Sequence, residues 1–281
     1  MVRKVILSRK GFDGTTGGKP SPVIDGKLMS LPIPRADSGF FYKDLAISPQ
    51  ESYLKIMMDL GIRLYSETHL DPDLLKSIMG NRSNEWRGLF GQGGNSQGTL
   101  YNRDVGKGDI FLFFGWFKEV SKINGIWKYV PNAPEIHAVF GYLEVDQAID
   151  IRTGDSVPTW AKYHPHIKDR NTYGNQRNTV YFATPTFTKN VDKPGWGCFD
   201  FNKRLVLTKT GEKNKSYWEL PSCFQNEQDN FTHNINTWNV LPNGRIEMQT
   251  LGRGDQEVYI GGKPEVVEWA EKLIGDCSSF Q

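Results

Sequence analysis

Two apolar runs stand out in the hydrophobic pattern of the chain and predict a pair of buried strands. The first extends from Gly108 to Phe117 and the second from His137 to Val145, and both are rich in aromatic and β-branched residues. Their length and composition favour strands over helices. In the first run, apolar residues occupy both alternating faces, which is typical of a strand inside a sheet or barrel. We therefore expect the rest of the chain to cover these two strands.

Shorter apolar segments predict the remaining elements. Further strands are expected at residues 4–8, 62–65, 178–183, 205–208, 245–250 and 258–260. Helices are expected from Ser48, where Pro49 suits the first helical position, from Leu74 to Met79, and from Pro264 onwards. The stretch from Glu85 to Gly98 is rich in glycine and is interpreted as a loop.

The order of these elements predicts an α+β fold. A strand-rich mixed sheet or a β-barrel is expected at the centre, with a few helices outside it. No break in composition marks a linker, so residues 1–281 are expected to form a single compact domain. The alternative is two subdomains, an irregular N-terminal layer at residues 1–100 and a strand-rich part at residues 101–281.

Composition and charge narrow the class of partner. The chain carries 34 Lys and Arg against 32 Asp and Glu, a formal charge of +2. This balance predicts local contact with a nucleotide or nucleic acid instead of extensive wrapping of a duplex. Three separated cysteines favour a reducing cytoplasm. No apolar run approaches the length of a membrane helix, and the start does not resemble a signal peptide, so we expect a cytoplasmic protein with no membrane partner.

A glycine-rich loop, Arg9 to Pro22, follows the first predicted strand. Such a loop brings backbone N–H groups close to an anion, and nearby cations add charge-assisted hydrogen bonds. Asp13 is a candidate base or metal ligand. We assign phosphate binding here to Ser8, Arg9, Lys10, Gly17 and Gly18. The loop matches neither standard nucleotide fingerprint, and the alternative is an irregular loop whose glycines serve tight turns.

Two histidine clusters supply further candidate chemistry. His69, Asp71 and Asp73 are a candidate site for a divalent metal. Capping of the following helix is the alternative for both aspartates, although it leaves His69 unexplained. His164 and His166 would face the same side of an extended backbone and reach one metal, phosphate or base, or else belong to a polar loop. No Cys or carboxylate lies at ligand spacing from this pair, so we assign no metal ligand.

Two tryptophans and one histidine are candidates for contact with a base. Trp116 and Trp160 would stack on it, and His137 would line the rim of a pocket. The alternative for Trp116 is a place in the core, where most aromatic stripes lie. The alternative for His137 is a structural role.

The motifs of the chain resemble two known groups of proteins. The segment 106–146, with G-K-G-D-I-F-L-F-F-G followed by H-A-V-F-G-Y-L-E-V, resembles the PUA-like barrels of the ASCH and EVE groups, which bind RNA or modified bases in a cleft. The motifs K-V-I-L-S-R-K-G-F-D, G-G-K-P-S-P-V, H-L-D-P-D-L, W-R-G-L-F-G-Q and H-P-H resemble, in this order, the third family of nucleotide modification associated domains of bacteria and phages. This second resemblance implies a role in DNA base hypermodification.

We therefore favour an enzyme that modifies a nucleotide or a nucleobase, with its phosphate held by the N-terminal loop. Its predicted catalytic residues are Asp13, His69 and His166. The alternative is a non-catalytic reader that binds a modified base or nucleotide in a PUA-like cleft. A weaker alternative is a metal-dependent nuclease or phosphodiesterase that uses His69, Asp71 and Asp73. The sequence indicates no particular cofactor and no oligomeric state.

Overall fold

The computed structural model describes residues 2–48, 50–63, 65–80, 82–153, 156–232, 235, 237–250 and 256–280. The strands are β1 (Val5–Arg9), β2 (Ser21–Ile24), β3 (Lys27–Leu28), β4 (Ala46–Ser48), β5 (Glu51–Ser52), β6 (Leu89–Gly93), β7 (Ile110–Ile123), β8 (Ile126–Tyr129), β9 (Ile136–Asp150), β10 (Asn178–Ala183), β11 (Trp196–Phe199), β12 (Tyr217–Leu220), β13 (Trp238–Val240), β14 (Ile246–Gln249), β15 (Glu257–Gly261) and β16 (Ser279–Phe280). The α-helices are α1 (Tyr53–Asp59), α2 (Gly94–Asn102), α3 (Pro165–Lys168) and α4 (Pro264–Asp276). Short 3₁₀ helices lie at Lys76–Ile78, Ile151–Thr153, Thr159–Ala161, Arg170–Tyr173, Lys203–Leu205, Ser222–Phe224 and Gln228–Asn230.

An 11-stranded mixed sheet contains most of these strands, in the central order β15-β1-β7-β9-β10-β6. Strand β1 is parallel to β7 and antiparallel to β15, and the other neighbours in this order are antiparallel. The two apolar runs of the sequence form β7 and β9 at its centre, as predicted. A three-stranded sheet, β12-β14-β13, and the β4-β5 hairpin complete the strands.

The sheet curls around an aromatic core. Phe90 on β6 lies 4.9 Å from Phe111 and 5.1 Å from Phe113, measured between ring centroids, although two strands separate β6 from β7 in the sheet. Tyr181 on β10 packs against the same rings. Curling also brings the two ends of the strand order together, because the Gln92 amide on β6 donates to the Glu257 carboxylate on β15.

The predicted fold class is confirmed in its first form, a strand-rich mixed sheet with a few helices. A closed barrel is not formed, since β6 and β15 share side-chain contacts but no backbone pairing in the part of the chain that the structure describes. Strands from both sides of residue 100 lie in the main sheet. None of the described helices is both long enough and apolar enough to cross a membrane.

Several local predictions were wrong. Residues 85–98, interpreted as a loop, contain β6 and the start of α2. The helix expected from Ser48 begins at Tyr53, where the Ser52 hydroxyl accepts from Lys55 N at the helix start. Pro49 lies outside the described residues.

Three other predicted elements also differ. The helix expected at residues 74–79 is only the 3₁₀ turn Lys76–Ile78. Within residues 205–208, Leu205 ends a 3₁₀ helix and only Val206 and Thr208 form isolated bridges, so the predicted strand is absent. No strand forms at residues 62, 63 and 65, and Leu64 lies outside the described residues. By contrast, the strands at 4–8, 178–183, 245–250 and 258–260 and the helix from Pro264 are confirmed.

Candidate active site

A cleft of about 830 Å³ lies beside the end of β1 and the edge strand β6. Its lining includes residues from all three polar clusters found in the sequence, although these are far apart along the chain: Arg9, Lys10 and Asp13, then His69 and Asp71, then His166. The sheet explains their meeting. The N-terminal cluster continues β1, and β6 carries the contacts that position both other clusters.

His69, Asp71 and His166 form the centre of the cleft. The Nε2 atoms of the two histidines are 3.2 Å apart, and Asp71 Oδ2 lies 4.0 Å from His69 Nε2 and 3.7 Å from His166 Nε2. All three residues are buried, with 7%, 8% and 3% of their surface exposed. They offer three donor atoms within 4.8 Å of one another, a group able to hold a metal ion.

The two oxygens of Asp71 have different surroundings. Oδ1 accepts a hydrogen bond from the Gly91 backbone N–H at 2.7 Å and lies 3.3 Å from His164 Nε2. Oδ2 faces His69 and His166. His164 is fully buried behind the carboxylate. It was predicted to bind the substrate, but it contacts Asp71 and is not among the residues that line the cleft.

Asn178 determines which nitrogen of His166 carries the proton. The Asn178 side-chain NH₂ donates to the His166 carbonyl at 2.8 Å, so its Oδ1 must be the atom that lies 2.7 Å from His166 Nδ1. An amide oxygen only accepts, and Nδ1 therefore carries the hydrogen. In the neutral ring Nε2 then presents a lone pair to the cleft, towards His69 Nε2 and the Tyr173 hydroxyl at 3.1 Å.

Glycines on β6 allow this close approach. A Cβ atom at Gly91 would lie 2.3 Å from His166 Cδ2, and one at Gly93 would lie 2.5 Å from the Tyr173 ring. Residues 91 and 93 are two apart on a strand and so face the same side. Any larger residue at position 91 would displace the His166 ring.

The protonation states follow from burial and from the carboxylate. Burial lowers the pKa of His69 to about 3, with Asp71 opposing the shift. Burial likewise lowers the pKa of His166 to about 4. For Asp71, burial alone raises the pKa, but His164, His166 and His69 outweigh it and hold the pKa below its usual range. At neutral pH the centre therefore combines neutral imidazoles with an ionised carboxylate.

Cationic side chains line the same cleft. Lys10 is buried, donates to Gln256 Oε1 at 2.5 Å and lies 3.7 Å from Glu257 Oε1. Arg9 is half-buried, and burial lowers its pKa against the opposing effect of Asp13 and Glu257. Arg35 donates to the Tyr173 hydroxyl at 3.5 Å. The cleft thus presents guanidinium groups to an anionic ligand.

The N-terminal loop is shaped by its own contacts. Asp13 Oδ1 accepts from Thr15 N at 2.8 Å, from Thr15 Oγ1 at 2.7 Å and from Thr16 N at 2.7 Å. Gly17 and Gly18 have φ of +86° and +71°, and a Cβ at Gly17 would lie 2.1 Å from the Phe12 ring. Both glycines serve the turn, and neither is among the residues that line the cleft.

Asp73 does not join the histidines. Its carboxylate receives two hydrogen bonds from Arg82, at 2.7 and 2.9 Å, and one from the Tyr163 hydroxyl at 2.6 Å. Neither Asp71 nor Asp73 caps a helix, because Leu75 precedes the short 3₁₀ turn that follows. The predicted convergence of His69, Asp71 and Asp73 is therefore replaced by His69, Asp71 and His166.

The remaining predicted site residues lie outside this cleft. Trp116 and His137 line a smaller adjoining pocket of about 220 Å³, which shares Arg9 and Asp13 with the cleft. Within it, His137 Nδ1 accepts from Trp218 Nε1 at 3.0 Å. Ser8 is buried within β1. Trp160 packs against Phe182, with ring centroids 5.9 Å apart.

Sequence reasoning missed the cleft residues Arg35, Gln92 and Tyr173, and also Gly91 and Asn178, which contact Asp71 and His166. The spacing of Gly91 and Gly93 is the one pattern that indicates them, since glycines inside a strand often mark close approach of another group. The prediction of a loop at residues 85–98 placed these glycines outside any strand, so their spacing was not interpreted. The other residues reach the site only through tertiary structure.

Comparison with known protein families identifies the family of the chain. Residues 4–260 match the model of nucleotide modification associated domain 3. The match covers β1, the cleft residues and β15 up to Ile260. No curated protein and no solved structure gives a match. The chain belongs to the nucleotide modification associated domain 3 family.

Proposed function

We propose that this protein is an enzyme that chemically modifies a nucleotide or a nucleic-acid base in the cleft described above. The family to which the chain belongs is associated with nucleotide modification. The formal charge of +2 favours local contact with such a substrate. Three cysteines without disulfide bonds and this substrate class favour a cytoplasmic location.

One observation carries the proposal: acid–base groups and cations from distant parts of the chain line one cleft. Arg9 and Arg35 supply guanidinium groups that suit phosphate oxygens. Lys10 adds positive charge from the buried wall. His166 and His69, neutral beside the ionised Asp71, can accept a proton from a substrate group or return one.

We expect Asp13 to stabilise the loop that carries Arg9 and Lys10 instead of acting directly on the substrate. Three hydrogen bonds already occupy one of its oxygens. We therefore expect Asp13→Asn to weaken substrate binding through the loop more than it slows the chemical step. This separates Asp13 from the histidines in a measurement of KM and kcat.

The test is turnover. Purified protein is incubated with nucleotides, single-stranded and duplex DNA, and RNA, and the nucleosides released by digestion are analysed by mass spectrometry. We expect a nucleoside of altered mass, formed at least 100-fold more slowly by His166→Ala, the scale typical of acid–base residues. Arg35→Ala should raise KM, whereas Arg204→Ala, an exposed arginine paired with Asp276, should match the wild type.

A different outcome would identify a reader. If the wild type binds a modified base or nucleotide tightly and no product forms in any reaction, the protein recognises its ligand without changing it. Loss of that binding in Arg9→Ala and Arg35→Ala would still place the ligand in the cleft.

A further inference from the structure

We propose that His69, Asp71 and His166 hold one divalent transition-metal ion, through both Nε2 atoms and Asp71 Oδ2. This deepens the proposed function by assigning both Nε2 lone pairs to an ion, in place of direct proton transfer by the histidines, and it rests on that function only for what the ion would act upon. The site itself stands on geometry. The three buried donors come from two distant parts of the chain, residues 69–71 and residue 166, and meet in the lining of the cleft.

The spacing of the donors fits a single ion. Two ligand atoms at about 2.0–2.1 Å from an ion, in tetrahedral arrangement, lie about 3.3–3.4 Å apart. The two Nε2 atoms are 3.2 Å apart, and Asp71 Oδ2 is 3.7 and 4.0 Å from them. A small inward movement of the carboxylate would bring all three to coordination distance.

The hydrogen of His166 is on the nitrogen that a metal site requires. Asn178 holds Nδ1–H, which leaves the Nε2 lone pair facing His69 and Asp71. A metal-bound histidine commonly donates its other N–H to an oxygen in this way. In His69, Nδ1 is buried and has no hydrogen-bond partner among the described residues.

The carboxylate is oriented in the same manner. Gly91 N and His164 occupy the side of Asp71 Oδ1, so that Oδ2 points to the two imidazoles. Outer contacts of this kind fix the direction of ligand lone pairs and raise metal affinity. His166 and Asp71 of the proposed site therefore each have residues that orient them.

The donor set selects the class of ion. Two imidazoles and one carboxylate suit Zn²⁺, Fe²⁺ and related ions, whereas Mg²⁺ prefers oxygen ligands. Three protein ligands leave coordination positions open, and all three residues line the cleft, where an oxygen of substrate or water can reach the ion. The competing arrangement is a hydrogen bond between His69 Nε2 and His166 Nε2 with no ion.

Direct metal binding distinguishes the two. The full chain is stripped with a chelator, titrated with Co²⁺ and followed by its visible absorption, and bound metal is counted by mass spectrometry after gel filtration. We expect one Co²⁺ per chain, displaced by Zn²⁺ but not by millimolar Mg²⁺. His69→Ala, His166→Ala and Asp71→Asn should each weaken binding at least 100-fold. His137→Gln, at a buried histidine outside the proposed site, should bind like the wild type.

If the wild-type protein takes up no Co²⁺ or Zn²⁺, the inference is overturned. This result does not depend on whether the variants fold. Equal binding by folded His69→Ala and wild type would also overturn it. Turnover is measured separately. A chain that binds the ion but modifies no nucleotide contradicts the proposed function alone, and one that modifies nucleotides but takes up no ion contradicts the metal site alone.

Discussion

At the scale of single residues, the site depends on which polar partner each buried group finds. Asp71 and Asp73 are two positions apart and both are buried, but Arg82 and Tyr163 bind Asp73 while Asp71 faces the histidines. Asn178 similarly commits one nitrogen of His166. These pairings, more than the identity of the histidines, give the cleft its chemistry.

Replacing Asn178 tests this orientation. Asn178→Leu removes the acceptor for His166 Nδ1–H, so the buried donor is left unpaired or the ring changes tautomer, at a cost of about 1–3 kcal/mol. We expect a 10- to 100-fold loss of metal affinity, measured by Co²⁺ titration. Asn178→Asp keeps an oxygen at the same place and should retain more affinity than Asn178→Leu. Equal losses in both variants would contradict the orienting role.

His137 gives a pH prediction outside the histidine centre. Burial, with Lys215 and Arg9 adding to it, lowers its pKa from 6.5 to about 3. Above pH 6.5 the His137 imidazole is neutral in both the folded and the unfolded state, so its titration does not reduce the free energy of unfolding. Below pH 6.5 the unfolded state binds a proton that the folded state does not, so stability falls as the pH falls towards 3.

The corresponding measurement is chemical denaturation between pH 7 and pH 4.5 for wild type and His137→Gln, whose amide can still accept from Trp218. The wild-type free energy of unfolding should fall more steeply, by up to about 1.4 kcal/mol per pH unit. Parallel curves would show that His137 is not held neutral in the fold.

At residue scale the sequence was informative about kinds of side chain but not about their partners. Histidine and aspartate are recognisable candidates from their chemistry alone, which is why His69 and His166 were named. The choice of Asp71 over Asp73, and the contribution of Tyr173 and Asn178, depend on contacts between strands and loops distant in sequence. No local pattern records those contacts.

At the scale of elements, β6 is the strand that builds the site. Its backbone donates to Asp71, its glycines admit His166 and Tyr173, and its Gln92 bonds to Glu257 on β15. The glycines of this segment favour a loop when only the local sequence is considered. Pairing with β10, in register from Gly93 opposite Asn178 to Leu89 opposite Phe182, overrides that local preference.

Gly91→Ala tests the role of β6. The added methyl group would lie 2.3 Å from His166 Cδ2, so the His166 ring must shift from its present position beside His69. We expect loss of Co²⁺ binding and of turnover by at least 10-fold, with the fold retained by circular dichroism. Gly98→Ala is the matched control, because a Cβ at this position in α2 has nothing within 4 Å and alanine favours helix. If Gly91→Ala behaves like Gly98→Ala, the close approach has no functional weight.

At the scale of the whole molecule, β1 joins the N-terminal part to the rest. It lies between β15 and β7, and it leads directly into the loop with Arg9 and Asp13. We propose that residues 1–100 and 101–281 do not fold independently. A fragment of residues 101–281 would lack β1 and β6, leaving unpaired strand edges.

That fragment should show no cooperative unfolding transition, whereas the full chain should unfold with coincident changes in circular dichroism and tryptophan fluorescence. A fragment that melts cooperatively would favour two subdomains.

The central pair of strands and the mixed sheet were predictable from apolar patterning, because a strand buried on both faces is recognisable locally. The curling of the sheet, which brings β6 to β15, was not, since it depends on side chains such as Phe90 and Phe111 that meet across strands.

The proposed role of the histidine centre, modification of a nucleotide or base in the cleft, can be tested in cells. Nucleosides from both nucleic acids and free nucleotide pools are analysed by mass spectrometry in cells that express wild-type protein or His166→Ala at equal levels. We expect a nucleoside of altered mass in the wild-type cells that is absent with His166→Ala. Identical nucleoside profiles with both proteins would contradict it.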